Sequence, residues 1–519
     1  MDDEFLFQSF HDIGDYAILK NTKAPARIVV GRTGSGKTAL LRMLKREQEH
    51  VIEIDPEHLS LNYISNNEVI KFFENLGVRL DLFYGLLWRH VFTVELLRAR
   101  YQLTTSEKTQ TFISGLFDRL KAKDRTRERA LRYIQDWGDK FWIEAEYRVK
   151  EFTTKLETEL KAGAGIDIEA IKLNANGGYS LTEEQKNEII HRGQQIVNSI
   201  QIKELSEVIN YLNDEVFSDS HRPYYIVIDR LDENWIEDTI RFKLIRALIE
   251  TVKVFQRVQN VKIVVAMRQD LLQKVFGGYD NAVQEEKYQA LFLRLRWSQN
   301  QLEAMLDRRV GTLVRQQYTQ REIKLRELFP AKMGRISFVD YFMQRTALRP
   351  RDAILFLNDC IERSEAHGQV RVQTIYEAEK EYSRLRLKSL VHEWGGLYPS
   401  LAYLLPILER APVEARVSTL SRLMDDVIQK IGEMPLAASD PAISAARTFL
   451  ESTSGNRNTP IAEMVLLLFN VGVIGLRFEG GGGQLWAGEH TAPAASQIKA
   501  STKFLVHPMF HQALATVYQ

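Results

Sequence analysis

Short runs dominated by apolar residues, two of them uninterrupted (Ile28-Val29-Val30 and Tyr224–Ile228), set the rhythm of the N-terminal part of the chain. They are Ile28-Val29-Val30, His50–Ile54, Tyr224–Ile228, Val261–Ala266 and Leu291–Arg296. Continuous rather than alternating hydrophobicity marks strands covered on both faces, as in a parallel sheet. Between them lie helical periods: Ala39–Lys45 reads as a helix start and Ile240–Val258 as an amphipathic helix. The expectation is an α/β fold built on a parallel sheet. From Leu61 to about Glu215 the pattern is helical. Leu82, Phe83, Leu86, Leu87, Trp88, His90 and Val91 form one strongly apolar helix. Lys121–Lys161 is densely charged with spaced Leu131, Ile134, Trp137 and Phe141, which predicts long amphipathic helices. Ala162–Leu181 interrupts them with glycine-rich turn chemistry, and Thr182-Glu183-Glu184-Gln185 opens another helix.

After the last apolar run, Ser298 and Gln301 fit a capping box, and Trp297 with Leu302 fits a hydrophobic staple. Leu302, Met305, Leu306, Val310 and Leu313 then line one face of a helix, beginning an all-helical segment to about Leu387. Near the C-terminus Thr459-Pro460 opens a helix through Leu468, Val471–Phe478 reads as a strand, Gly480–Gly483 as a turn and Gln484-Leu485-Trp486 as its return. A segment from Phe504 to Leu514 closes this arrangement of helix and β-hairpin, which is that of a winged helix. The resulting division is 1–60 with 217–297 as a sheet-based core, 61–216 as a helical insertion, 298–390 as a helical lid and 391–519 as a winged-helix-containing domain.

Composition adds exclusions. At 519 residues, 45% hydrophobic and 26% charged, the chain reads as an ordinary globular protein with more than one core. A net charge of +1 provides no global field for nucleic acid or membranes. Cys360 is the single cysteine, so no internal disulfide forms; its apolar neighbours Leu355, Phe356 and Leu357 predict a buried core thiol. The N-terminal Met1-Asp2-Asp3-Glu4 lacks a signal-peptide pattern, and the apolar run Met464–Leu476, interrupted by Asn470, is too short to span a bilayer. A cytoplasmic protein without membrane contact is expected.

The chemistry begins at Gly31-Arg32-Thr33-Gly34-Ser35-Gly36-Lys37-Thr38, which matches G-x-x-x-x-G-K-[ST] between a strand and a helix. In that setting glycines let successive N–H groups converge on phosphate oxygens, and the helix dipole, entered at Lys37-Thr38-Ala39, adds to the attraction. Lys37 can reach the outer phosphates and the Thr38 hydroxyl can bind Mg²⁺. The bland alternative, a glycine-rich turn without nucleotide, is the weaker reading of a complete motif. The run Tyr224–Ile228 delivers Asp229-Arg230-Leu231-Asp232-Glu233 to the strand end, where α/β ligands bind. Asp229 is placed to hold the Mg²⁺ shell, and Asp232 or Glu233 to activate water, although Asp232 could instead cap a helix. Arg268 ends the next strand, either near a γ-phosphate or paired with an acid at the sheet edge. Arg349, Pro350 and Arg351 are candidate nucleotide contacts from the lid, or simply the start of a helix at Pro350. The charged run Lys121–Arg129 mixes acids and bases and reads as a solvated helix face.

With these motifs in place the chain resembles the STAND class of P-loop ATPases, the signal-transducing group that includes NACHT proteins. Asp229-Arg230-Leu231-Asp232-Glu233 is similar to that group's Asp-Gly-hydrophobic-Asp-Glu signature, with Arg230 in place of the usual small residue. Arg268 falls where these proteins carry a sensor arginine, and Pro350 stands for the lid proline, although Arg349-Pro350-Arg351 departs from the usual lid motif. The phrases Gly-Arg-Thr-Gly-Ser-Gly-Lys-Thr, Leu-Trp-Arg-His-Val (Leu87 to Val91) and Leu-Arg-Pro-Arg-Asp are closer to a bacterial group of KAP-like and STAND-like ATPases. The resemblance covers the core and lid, the winged helix less fully and the insertion only in outline. It implies an ATP- and Mg²⁺-dependent switch that forms homo-oligomers and works with a protein effector or sensor in antiphage defence. A DNA-dependent ATPase is the rival expectation, and a nucleotide-binding scaffold a third. Against the DNA reading, Ile461–Asn470 offers only Glu463 and Asn470 as polar side chains.

Overall fold

The computed structural model describes residues 3–56, 78–102, 132–134, 141–165, 182–199, 203–233, 235, 238–276, 286–317, 323–364, 370–437, 440–452, 455–480, 483–487 and 492–518. The charged run Lys121–Arg129, Leu131, Trp137 and most of the Ala162–Leu181 interruption lie outside them. Two compact units emerge: Gly14–Val30 with Lys37–Arg294, and Met1–Ile13 with Gly31–Gly36 and Leu295–Gln519.

In the first of these units, strands β1 (Ile28–Gly31), β2 (His50–Ile54), β3 (Tyr224–Ile228), β4 (Val261–Arg268) and β5 (Phe292–Arg294) form a parallel sheet in the order β2-β3-β4-β1-β5. The three central strands are buried on both faces, β1 and β3 throughout and β4 until Arg268, whereas β2 and β5 are only partly buried. Parallel neighbours need crossovers, and these are helical. Helix α1 (Asp15–Lys20) precedes β1, and α2 (Lys37–Glu47) follows it. Among the described residues, the long stretch between β2 and β3 includes α3 (Asp81–Tyr101), α4 (Phe141–Ala164), α5 (Glu183–Ser199) and α6 (Lys203–Tyr211). Then α7 (Asp238–Phe255) leads to β4 and α8 (Gln269–Phe276) follows it. The helix expected to open at Thr182 is α5, and a capping box starts it, with Thr182 N donating to Gln185 Oε1 at 3.1 Å and Gln185 N to Thr182 Oγ1 at 3.2 Å. Helix α3 shares the core of the sheet: Trp88 Nε1 donates to the Leu244 carbonyl of α7 at 2.9 Å, and Phe92 meets Phe255 edge-on at 5.4 Å.

The N-terminal ends of the strands carry an unusual pair of buried cations. Lys262 Nζ donates to the Ile18 and Asn21 carbonyls at 2.8 Å each, and Arg27 Nη1 to the Val261 carbonyl at 3.2 Å. Together with Tyr225 Oη on the Lys20 carbonyl at 2.6 Å, they hold α1 and the turn after it against the sheet. Burial pushes the Lys262 pKa down to about 7, with the charge of Arg27 adding to the effect. In the unfolded chain Lys262 keeps its proton to an ordinary value near 10.5, so above pH ~7 the unfolded state binds more protons and stability rises with pH. Chemical denaturation between about pH 7 and 9.5 should show that rise, with a slope of at most ~1.4 kcal/mol per pH unit from this group. Lys262→Met should flatten it; an unchanged slope would remove Lys262 as its source.

In the second unit, α9 (Gln299–Gln317) opens with the expected reciprocal cap: Ser298 N donates to Gln301 Oε1 at 2.9 Å and Gln301 N to Ser298 Oγ at 3.3 Å. A short ribbon of β6 (Lys332–Met333) and β7 (Ile336–Ser337) leads on to α10 (Pro350–Glu362) and α11 (Val372–Trp394). Cys360 is fully buried, as its neighbours predict, and burial pushes its thiol pKa well up. A buried polar network ties α11 to this segment: Arg345 Nε donates to Glu379 at 2.7 Å, Tyr341 Oη also donates to Glu379, and Arg386 Nη1 donates to Asp352 at 2.7 Å.

Strand β8 (Glu414–Arg416) then leads to α12 (Val417–Gly432), α13 (Pro441–Glu451), α14 (Asn458–Asn470), β9 (Ile474–Arg477) and β10 (Lys503–Val506). The three strands pair antiparallel in the order β8-β10-β9. Helix α14 begins at Asn458, earlier than a Thr459 cap would place it. The return at Gln484–Trp486 is only a bridge between Leu485 and Leu476. The main partner of β9 is Lys503–Val506, whose alternation sends Phe504 and Val506 inward, a pattern the three-residue return cannot supply. No helix among the described residues is long and apolar enough to cross a membrane.

Candidate functional site

Parallel strands end on one edge, so the polar residues that close β3 and β4 share that edge in the sheet-based unit. Asp229 follows β3 directly, and its Oδ2 accepts the Thr38 hydroxyl at 2.9 Å while Oδ1 accepts the Arg230 amide at 2.9 Å. Arg230 adopts φ 61°, in the left-handed region that favours glycine. That conformation turns the chain so that Glu233 N reaches the Arg230 carbonyl at 3.1 Å; the two side chains pair at 3.8 Å.

Arg268, the last residue of β4, is held by two acids. Its Nη1 donates to Asp232 Oδ2 at 3.1 Å, while Nε and Nη2 donate to the two oxygens of Asp270 at 2.9 Å each. Burial opposes the charge on this guanidinium, but Asp270 and Asp232 outweigh it and hold the pKa above its ordinary range. Lys37, the first residue of α2, is pushed the other way. Burial lowers its pKa, and the fields of Asp232 and Asp229 pull it back toward the charged form, with Arg268 opposing them. Asp229, Asp232 and Asp270 thus face Lys37 and Arg268.

A hydroxyl and a carboxylate at hydrogen-bond distance are the donor pair that a hard cation such as Mg²⁺ prefers, and Thr38 and Asp229 could hold one. Among the described residues no group of three or more His, Cys, Asp or Glu side chains forms a metal cage. An ion here would therefore complete its shell with water and phosphate oxygens, as Mg²⁺ characteristically does.

The preceding loop, Gly31–Gly36, belongs to the other unit and is described with it. Gly34 (φ 82°) and Gly36 (φ 101°) take conformations that side chains resist. Three segments hold this loop from outside. Trp297 Nε1 donates to the Ser35 carbonyl at 2.9 Å, Arg351 N donates to the Gly34 carbonyl at 3.2 Å, and Arg32 Nη2 donates to the Val471 carbonyl at 2.8 Å. A Cβ on Gly34 would sit 2.7 Å from the Arg351 Cβ, so the close approach itself requires glycine. The hydroxyls of Thr33 and Ser35 are buried without a hydrogen-bond partner. Ala39 sits in the first turn of α2.

Pro350 occupies the first turn of α10, as its alternative role requires, with Arg349 as the flanking residue. The Arg349 guanidinium is taken up by acids, Nη1 lying 3.2 Å from Glu393 and Nε 3.9 Å from Asp352. Sequence reasoning missed Asp270, Glu393, Trp394 and the backbone-holding role of Trp297. It also missed His507, whose Nδ1 accepts the Met509 amide at 3.2 Å. Burial pushes the His507 pKa down to about 3, helped by His511, Arg32, Arg349 and Arg345. Asp270 alone left a signal, an acid in the first helical turn after a strand-ending arginine.

A family model for a FunZ-associated C-terminal helical domain matches residues 300–391, the α9 to α11 segment. No curated protein matches the chain.

Proposed function

We propose that this chain is an ATP-hydrolysing molecular switch of the STAND-like kind, working with a partner effector in a bacterial defence or signalling system. The observation that carries the reading is the Thr38–Asp229 hydrogen bond, flanked by Lys37 and by Arg268 on Asp232. It joins the end of a complete phosphate-binding motif to the acidic end of β3, the pairing that Mg²⁺-assisted phosphoryl transfer needs. The sheet order, with β4 between β1 and β3, is compatible with a P-loop fold. In this reading Thr38 and Asp229 would hold Mg²⁺, which when bound would supply positive charge to the phosphates. Lys37 exchanges its carboxylate neighbours for the outer phosphates. Asp232 orients water, since Lys37 and Arg268 both feel it, whereas Glu233 pairs with Arg230. Arg268 reports the γ-phosphate. The FunZ-associated helical domain supports a defence-like setting.

The element order β8-α12-α13-α14-β9-β10 with sheet order β8-β10-β9 supports a winged helix. In this reading α14 would be its recognition helix, but it is buried along most of its length, including Ile461, Met464, Val465, Leu468 and Phe469. Glu463 is half-buried, and burial raises its pKa. Asn458 and Thr459 are exposed in the first turn of α14, but the rest of the helix is spent mostly on packing, which favours a regulatory role over DNA reading. Steady-state ATP hydrolysis by the purified protein, with and without double-stranded DNA, tests the choice. Slow turnover indifferent to DNA is expected; DNA stimulation that weakens with salt would favour the DNA-dependent ATPase.

A further inference from the structure

We propose that Arg32 is a positioning residue that couples nucleotide occupancy of the Gly31–Gly36 loop to the turn joining α14 and β9. The inference rests on the nucleotide reading above and goes beyond it. The motif leaves this position free, since only its backbone faces phosphate. Here its side chain is 17% exposed and contacts Val471, Glu393 and Trp394. Nη2 donates to the Val471 carbonyl at 2.8 Å, Nε lies 4.0 Å from Glu393 Oε1, and the guanidinium packs 5.6 Å from the Trp394 ring centroid. Gly472 makes room for it: φ is 82°, and a Cβ there would stand 3.0 Å from Arg32 Nη1. The other carboxylate oxygen of Glu393 accepts Arg349, so loop and lid arginines share one acid.

The direction of the coupling follows from which groups are held. Arg32, Trp297 and the Arg351 amide all pull the loop from outside, two of them by its carbonyls. Fixing the Gly34 and Ser35 carbonyls outward favours N–H groups converging inward, the conformation a phosphate selects, while the Ser35 amide is bonded within the loop to the Arg32 carbonyl at 3.1 Å. The Arg32 anchor therefore pre-organises the loop, and by linkage a bound nucleotide must tighten the anchor and its turn. The turn has its own reporters. Val471, Gly472 and Val473 amides are bonded to the Leu467, Phe469 and Leu468 carbonyls, and Val473 O accepts His507 N at 2.8 Å. Their hydrogen exchange measures local opening.

The test is amide hydrogen exchange at Val471–Val473 in the full chain, with and without Mg·ATPγS, for wild type, Arg32→Ala, Arg32→Lys, Glu393→Gln and Lys37→Ala. Without nucleotide, Arg32→Ala should speed exchange in the turn about tenfold, as expected for losing a charged hydrogen bond, and Arg32→Lys by less. Glu393→Gln should act in the same direction if Arg32→Ala proves unstable. With nucleotide, wild type should gain protection in the turn and Arg32→Ala should not. Arg32→Ala should also raise KM for ATP more than it lowers kcat, a split that mere loss of stability would not produce. Unchanged exchange in the turn of Arg32→Ala overturns the coupling. So does Lys37-dependent ATPγS binding that leaves the wild-type turn unprotected, with the nucleotide reading then standing alone. Wild type and Lys37→Ala alike failing to bind ATPγS overturns both.

Discussion

Lys37→Ala is expected to abolish ATP turnover, lowering it by at least about 10²-fold, the scale on which a lost electrostatic contact to the transition state is felt. The size follows from the surroundings. Asp229, Asp232 and Asp270 stand near Lys37, with Arg268 as the other positive charge. Removing the ammonium takes away the group that meets the outer phosphates and leaves three carboxylates to repel them. Part of the loss should therefore appear as weaker nucleotide binding and part as slower chemistry. The fold should survive, because Lys37 begins a helix whose core contacts come from Leu40, Leu41, Met43 and Leu44. Phosphate release by the variant beside wild type, with circular dichroism as the control for folding, checks this. Retained wild-type rates would remove the loop from the mechanism.

Asp232→Asn should separate binding from hydrolysis. Asparagine can still accept from Arg268 Nη1, so the geometry of the strand end is kept, but the charge that orients and deprotonates water is gone. Turnover should fall by about 10²–10⁴-fold, the range for a lost general base, while Mg·ATP still binds. Glu233→Gln should cost less, because Glu233 pairs with Arg230 rather than with the lysine and arginine of the site. A larger loss from Glu233→Gln than from Asp232→Asn would exchange the two roles. Single-turnover kinetics with both variants distinguishes these results. A switch that binds ATP without hydrolysing it should also persist in its ATP-loaded assembly, which light scattering would detect.

Much of the sheet-based unit was legible in the sequence because buried parallel strands are written as mostly apolar runs. Ile28-Val29-Val30, Tyr224–Ile228 and Val261–Ala266 all lie in strands, and the polar residues after them fall at the sheet edge. Local capping chemistry was equally readable at Ser298/Gln301, since the cap is decided by side chains three residues apart. Long-range pairing was not. Glu393 is 361 positions from Arg32 by number (393 − 32) and 44 from Arg349, and no local pattern marks an acid as their shared partner. The Gln484–Trp486 return failed for a related reason: strand partners are chosen by which segment can bury alternate side chains, and Lys503–Val506 does so better. The conformation of Arg230 was half legible. The STAND signature that it resembles has a small residue there, and in this chain Arg230 takes a left-handed φ of the kind that favours glycine.

The central claim is that this chain binds Mg²⁺-nucleotide through Lys37, Thr38 and Asp229. Titration of the purified wild-type chain with a fluorescent ATP analogue, with and without Mg²⁺, tests it most directly. Saturable binding that strengthens with Mg²⁺, loses its Mg²⁺ dependence in Asp229→Ala and vanishes in Lys37→Ala is the predicted result. Absence of saturable binding by a folded wild-type chain, or binding indifferent to all three changes, would contradict it.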